Sequence, residues 1–364
     1  MKHILMMTEA YGGGIKTHFD LINKYSSRLE NCKVIFYISE NRLSSTEQNN
    51  LYNCIINNKM SDFKKISSLR KNLKMLDETV LKNDIKIIHA HSTIAGLLVK
   101  LYTIFYKKRN IKVIYTPHGY FSQGEYSYIK KKIISLIEKF IEKNNQTIHV
   151  SNGENVHSRK YKISEKATII SNGVEIPNRK IKKKKNNEIT LGYLGRAEYP
   201  KNVERFIEIA NFFENSINKK GEIKFIFGGS GKEIEKIKRI VSESNIKNVQ
   251  LTGMIDKNKF FEKIDVYMST SKYEGLPFSV IEAMSHKKPL ILSNINGHLD
   301  FKKSSATLLF DLESDNNKIV EQIFDFIFKS DFKQLENKIF DDFLNHFSVE
   351  DMIKKLNKLY KNIY

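Results

Sequence analysis

The chain predicts an α/β protein made of two Rossmann-like domains facing across a cleft. Three observations carry that prediction. Strand-like apolar runs alternate with helix-like stretches, the pattern of parallel sheets covered by helices. A polar, lysine-rich segment divides the alternation into two halves. Glycines or charged residues follow several strand ends, which is where open α/β sheets bind ligands.

In the first half, His3–Thr8, Lys33–Ile38, Ile85–His89, Lys112–Thr116, Thr147–Val150 and Thr168–Ile170 read as strands. The stretch Arg179–Asn187 holds mostly lysine, arginine and asparagine and is suited to an interdomain linker. A second series follows at Ile189–Leu194, Lys224–Phe227, Val249–Leu251, Val266–Met268 and Pro289–Leu292. Between its first two strands, Val203, Phe206, Ile207, Ala210 and Phe213 fall at helical spacing. The domain boundaries expected are 1–174, a linker 175–188, and 189–346, with a C-terminal helix 347–364 packing back on the first domain.

At 364 residues the chain can bury two cores, and 40% hydrophobic with 28% charged residues fits a soluble globular protein. Its two cysteines, Cys32 and Cys54, set up no metal-ligand spacing or disulfide framework, which points to a reducing compartment. No run of roughly 18 apolar residues predicts a transmembrane helix, and the apolar start is too short for a signal peptide. A cytoplasmic protein is expected.

The net charge of +20 is uneven, with 28 Lys+Arg against 14 Asp+Glu in residues 1–174. Between Lys100 and Lys132 there are eight basic residues and one acid, Glu125. The next segment, Tyr128–Ile141, places Ile129, Ile133, Ile137, Phe140 and Ile141 at helical spacing opposite lysines. Two readings stay open for the region 100–143. It docks on an anionic membrane surface, making the protein peripheral on the inner face of the cell membrane, or it packs inward beneath a solvated lysine face. Nucleic acid is not expected, because no recognised module accompanies the charge.

The most informative segment is Tyr273-Glu-Gly-Leu-Pro-Phe-Ser-Val-Ile-Glu-Ala-Met284, which follows the apolar run Val266-Tyr-Met268. Pro277 suits the first turn of a helix, where a missing N–H leaves nothing unpaired. Glu274 then sits on a tight loop with Gly275 and Leu276, and Glu282 about two turns into the helix. Helix N-termini bind anions, so carboxylates beside a bound phosphate are best read as acceptors for sugar hydroxyls. Upstream, Leu194-Gly-Arg-Ala-Glu-Tyr-Pro-Lys201 puts Arg196 and Lys201 at a strand-to-helix turn, where two cations can neutralise a diphosphate leaving group. Phe227-Gly-Gly-Ser-Gly231 permits close backbone approach at Gly229 and Gly231.

These motifs resemble those of retaining nucleotide-sugar glycosyltransferases with the two-domain B-type fold (group 1, family 4 type). The resemblance implies that Glu274 contacts the donor sugar, Glu282 the ribose, and Arg196 and Lys201 the pyrophosphate. It departs mildly at Asn202, where the family often has glycine. It also implies that Gly229 and Gly231 lie near the nucleotide, and that Leu251-Thr-Gly-Met254 holds the base through main-chain contacts at Met254. In the first half, Gly12-Gly-Gly-Ile-Lys-Thr-His18 fails the dinucleotide spacing, because position 17 is threonine. It resembles the family's Gly-Gly loop instead, implying that Gly13 and Gly14 lie near the leaving phosphate and Lys16 and His18 on the acceptor side. Tyr115-Thr-Pro-His-Gly119 resembles the Thr-x-His-Gly element, implying that His118 serves the reacting sugar. Ser151 and Asn172 match family turns. His89, His91 and Ser92 form a further strand-end group, read as structural.

The expected activity is retaining, metal-independent hexosyl transfer, with no cofactor beyond the co-substrate. The donor is a nucleotide diphosphate sugar, expected to be a UDP-sugar. The acceptor is a hydroxyl, expected on a polyprenyl-linked glycan in bacterial surface-polysaccharide or capsule synthesis. No Asp-x-Asp triplet occurs in the sequence. A phosphorylase-like or non-catalytic relative of this fold, or a basic membrane- or nucleic-acid-binding protein, are the alternatives.

Overall fold

The computed structural model describes residues 1–43, 49–63, 65–164, 167–178, 188–216 and 223–363; the lysine-rich 179–187 segment read as a linker lies outside them. The chain forms two compact units, Met1–Gly173 with Val349–Tyr364, and Val174–Ser348.

The first unit runs β1 (Lys2–Thr8), α1 (Gly13–Lys24), β2 (Cys32–Ile38), β3 (Cys54–Ile56), α2 (Ile66–Lys82), β4 (Ile85–His91) and α3 (Thr93–Phe105). It continues through β5 (Lys112–Thr116), α4 (Tyr128–Glu142), β6 (Gln146–His149), α5 (Asn152–Lys160) and β7 (Ala167–Ile169). The strands pair in parallel in the order β3-β2-β1-β4-β5-β6-β7. Alternation along β1 sends Ile4 and Met6 to one face and Leu5 and Met7 to the other, and each face builds its own core. α2 and α3 cover the second face through Leu73, Leu76, Leu98 and Val99.

The second unit runs β8 (Ile189–Leu194), α6 (Val203–Ser216), β9 (Ile223–Gly228), α7 (Ile234–Glu243), β10 (Val249–Gly253) and α8 (Lys257–Lys263). β11 (Val266–Ser269), α9 (Phe278–Ser285), β12 (Leu290–Ser293), β13 (Thr307–Phe310), α10 (Asn316–Phe328) and α11 (Phe332–His346) follow. This sheet is also parallel, in the order β10-β9-β8-β11-β12-β13. α12 (Val349–Asn362) then joins the first unit, packing Val349, Met352, Ile353, Leu356 and Tyr360 beside Ile4, Met6 and Phe19 on the first face of its sheet.

In each sheet the chain reverses direction of growth at one point, between β1 and β4 and between β8 and β11. Loops diverge at the carboxyl ends of such neighbours and leave a crevice for ligands. The strand order thus marks two places for a site before any side chain is considered.

α4 differs from an ordinary surface helix. Its inward face is Ile134, Ser135, Glu138, Ile141 and Glu142. Of the five apolar positions that set its helical period, Ile141 alone is buried, and Ile129, Ile133, Ile137 and Phe140 are exposed. The inward-packing alternative for this stripe therefore fails at four of five residues. Among the described residues, no helix is long and apolar enough to cross a membrane.

Candidate active site

At the second unit's switch point, three loops knit together by main-chain bonds. Gly195 N donates to Gly228 O (3.0 Å), Ala197 N to Ser230 O (2.8 Å) and Gly229 N to Gly253 O (2.8 Å). The glycines are there because the backbones nearly touch. A Cβ on Gly229 would fall 1.9 Å from Gly195 O, and one on Gly231 2.5 Å from Ala197 O, both at positive φ. Met254 stands at the rim, 70% exposed.

Lys201 ends a 3-10 turn, Tyr199–Lys201, and Asn202 then adopts a left-handed conformation at φ 49°. Only glycine and asparagine or aspartate enter that region readily, so asparagine meets the same backbone need as the family's glycine. Lys201 Nζ reaches Glu274 Oε1 at 2.5 Å, and Ser271 Oγ donates to the same oxygen at 2.8 Å. Tyr193 OH donates to Lys201 O at 2.8 Å, fixing the turn from below. Burial opposes the Lys201 charge, but the Glu274 carboxylate and its neighbours outweigh it, and the ammonium pKa lies above the ordinary lysine value. Arg196 remains 69% exposed at its side chain, held loosely to Glu198 at 3.3 Å.

α9 starts at Phe278 with Pro277 as its N-cap residue, one position earlier than the first-turn placement read from the sequence. Glu282 is consequently little more than one turn into the helix, not two. It is buried and ion-paired with Lys257 of α8. Leu276 is buried beneath the loop, and Gly297 packs so closely that a Cβ would lie 2.4 Å from Glu274 O. His298 is fully buried next to these groups, its Nδ1 donating to Ser293 O at 2.8 Å. Burial lowers its pKa to about 4, against the pull of Glu274.

The first unit's switch point has a different chemistry. Gly13 and Gly14 open α1, and His18 turns inward from its second turn. Lys16 is tied to Asp20 at 2.5 Å, an ion pair that ligand binding would have to exchange. The His18 ring lies 4.9 Å from that of His118 and 5.3 Å from that of His91. His91 Nδ1 and His118 Nε2 are hydrogen-bonded at 2.8 Å. His118 holds a left-handed φ of 54°, a conformation that non-glycine residues keep only when their surroundings impose it. Gly119 N, just beyond, donates to Glu154 Oε1 at 2.5 Å. Burial lowers the pKa of His18 to about 4 and pushes His91 and His118 well below the ordinary histidine value. All three are neutral imidazoles at neutral pH, each able to donate or accept toward a hydroxyl. His18, His91 and His118 also place one ligand atom each within 4.8 Å of one another, close enough to share a cation. The bond between His91 and His118 uses one nitrogen of each and favours the hydroxyl-binding role.

His91 is thus a member of the cluster, where the sequence reading assigned it to structure. His89 keeps the structural role, holding Tyr360 OH and Thr116 Oγ1 at 2.8 Å each. Ser151 caps α5 through Glu154 N. Sequence reasoning missed Lys257, Ser271 and His298, none of which sits in a recognisable local pattern. It also missed Glu9, which is buried after β1 and accepts from Ser92 Oγ and from Ala95 N at 3.1 Å.

Comparison with known proteins divides the chain at the same place. Residues 12–176 match the model for Glycosyltransferase Family 4, and residues 175–337 match that for Glycosyl transferases group 1. The chain is 26% identical over 271 residues to the O-antigen biosynthesis glycosyltransferase WbnH of Escherichia coli, covering 73% of each chain. It is 26% identical over 328 residues to the UDP-Gal:alpha-D-GlcNAc-diphosphoundecaprenol alpha-1,3-galactosyltransferase of Escherichia coli, covering 83% of this chain and 80% of the other. In fold it is similar to sucrose-phosphate synthase from Thermosynechococcus elongatus, with a TM-score of 0.79 at 18% identity over 100% of this chain and 99% of that one.

Proposed function

We propose the following roles for a chain that belongs to the group 1, family 4 glycosyltransferases and is therefore a retaining nucleotide-sugar glycosyltransferase of bacterial surface-polysaccharide synthesis. The donor is a UDP-sugar and the acceptor a hydroxyl of a polyprenyl-diphosphate-linked glycan, as the name of the galactosyltransferase relative indicates for that enzyme. The acceptor is presented at an anionic membrane surface, toward which the basic region 100–143 turns.

Arg196 and Lys201 bind the donor diphosphate and stabilise the charge that develops as it leaves. Glu274 orients the sugar through its hydroxyls, and Glu282 holds the ribose. Gly229, Gly231 and the main chain at Met254 line the nucleoside, with Gly275, Leu276 and Pro277 shaping the loop. His118 supports the sugar, Gly13 and Gly14 face the leaving phosphate, and Lys16 and His18 serve the acceptor side. The departing phosphate takes the acceptor proton, so one face of the sugar carries both events and configuration is retained. Two side-chain cations do the work that a divalent ion would otherwise do for the diphosphate.

The observation that carries this reading is the Lys201–Glu274 pair at the β8/β11 switch point, a cation for phosphate joined to a carboxylate for hydroxyls. Thermal-shift screening against a panel of nucleotide sugars tests it. A UDP-sugar should raise the melting temperature more than UDP alone, and Lys201→Ala should remove the shift. Stabilisation that survives Lys201→Ala and Glu274→Ala together would overturn the assignment.

A further inference from the structure

α4 presents two faces of opposite character, and both face the wrong way for an ordinary surface helix. Tyr128, Ile129, Ile133, Leu136, Ile137 and Phe140 are between 39% and 78% exposed, while Glu138 and Glu142 are buried. At 3.6 residues per turn, Leu136, Ile129, Phe140, Ile133 and Ile137 fall on one stripe roughly 100° wide. Lys132, Lys139 and Lys143 border one side of that stripe and Lys130 the other, and all four are exposed. α3, packed against α4, ends on exposed Ile104 and Phe105, with exposed Lys107 and Lys108 next in the chain.

A monomer leaves a contiguous apolar stripe in water only when something else covers it. The lysine borders state the chemistry of that cover. An apolar strip edged by cations fits an interface whose interior is hydrocarbon and whose rim is anionic. A second copy of this chain would bring the same lysines against them and repel.

The inner face explains why such a helix is placed here. Glu138 accepts from Ser122 N at 3.1 Å and Ser122 Oγ at 2.6 Å, and Ser122 Oγ also bonds His157 Nε2 at 2.7 Å. Glu142 accepts from Tyr120 OH at 2.5 Å, and that hydroxyl is 2.7 Å from His149 Nε2. Tyr120 and Ser122 belong to the loop that begins at His118 and Gly119. One helix therefore carries the outer stripe on one side and grips the loop of His118 on the other.

We propose that α4 lies in the headgroup region of an anionic bilayer, apolar stripe down, and so fixes the His118 loop at the membrane face where a lipid-linked acceptor is presented. This role of α4 deepens the function proposed above: its acceptor half rests on that reading, and its docking half stands on the geometry of α4 and is tested without a donor. Each lysine near the surface contributes about fivefold to partition, and the apolar stripe supplies insertion.

Flotation of the full-length protein with vesicles, in the absence of any nucleotide sugar, tests it. Mixed phosphatidylglycerol–phosphatidylcholine vesicles should carry the protein up about tenfold or more better than phosphatidylcholine alone, with the preference weakened by salt. The triple variant Ile133→Ser, Leu136→Ser, Phe140→Ser should lose at least about tenfold of that partition at an unchanged melting temperature. If that variant melts early, Lys132→Gln with Lys139→Gln carries the test, with an expected loss of about 25-fold. Equal flotation of wild type and variants, or no preference for the anionic lipid, overturns the proposal. So does a lipid-free wild-type dimer that the serine variant converts to monomer, since the stripe would then be a contact between copies. Because no donor is present, failure here leaves the assignment of Arg196, Lys201, Glu274 and Glu282 untouched.

Discussion

The two switch points have opposite electrostatics. In the second unit the candidate ligands are ionised and already paired, Lys201 with Glu274 and Lys257 with Glu282. In the first unit His18, His91 and His118 are packed on one another and kept neutral by burial. A diphosphate carries charge that side-chain cations can offset, and buried cations need partners while the site is empty. Sugar hydroxyls need donors and acceptors without charge, and neutral imidazoles supply both. Under the roles proposed above, donor binding exchanges one set of ion pairs for another, whereas the histidine cluster has no charge to exchange.

Removing a cation should break the comparison most. Lys201→Ala should lower kcat/KM by about 100- to 1,000-fold, corresponding to about 3–4 kcal/mol, because it also leaves the Glu274 carboxylate unpaired. Arg196→Ala should be of the same order, about 3 kcal/mol; near-normal turnover in steady-state assays of either variant would contradict their placement on the diphosphate. Glu282→Gln should raise the donor KM about tenfold with kcat nearly unchanged, the pattern of a lost ground-state contact. On the neutral side, His118→Ala should reduce kcat by about tenfold. His118→Asn should keep the native melting temperature, since asparagine tolerates the left-handed backbone that alanine does not.

The pH dependence sharpens the contrast further. His18, His149 and His157 have folded-state pKa values lowered to about 4, below the unfolded value of about 6.5. The folded state then binds fewer protons than the unfolded one in that window, so stability is full above it and is lost as pH falls through it. Burial also raises Glu9 and Glu138, and raises Glu142 to about 7; these carboxyls act in the opposite sense and support the fold below their raised values. With His89, His91, His118 and His298 also lowered by burial, the histidines outnumber these carboxyls, so acidification from about pH 7 to pH 5 should lower the melting temperature; a flat or rising profile would contradict this balance. The smallest expected effect is that of a chelator. Activity after dialysis against EDTA should stay within about twofold of the untreated enzyme, in keeping with electrostatic work done by side chains.

Much of this architecture was legible because long parallel strands write themselves as apolar runs. Lys112–Thr116 and Ile189–Leu194 match the expected strands residue for residue, and the others differ at their ends. β3 and β13 were missed, since three or four residues at a sheet edge leave no room for a periodic signal. The Glu274 to Glu282 segment was legible because proline and glycine punctuate it. Lys257 and His298 were not, because each joins the site through tertiary packing from a separate element. The orientation of α4 was undecidable from spacing alone: a period shows that apolar residues share a face and not whether that face meets protein or solvent.

The return of α12 to the first unit has a practical consequence for engineering. Because Val349–Tyr364 completes the core begun by Met1–Gly173, the second unit is topologically an insertion, entered at Val174 and left at Ser348. A chimera meant to exchange donor preference between related enzymes should graft 174–348 as an internal cassette and keep both termini from the recipient. Splicing a foreign C-terminal half through to the last residue would swap a wall of the recipient's own core as well, and the product should misfold for reasons unrelated to the donor.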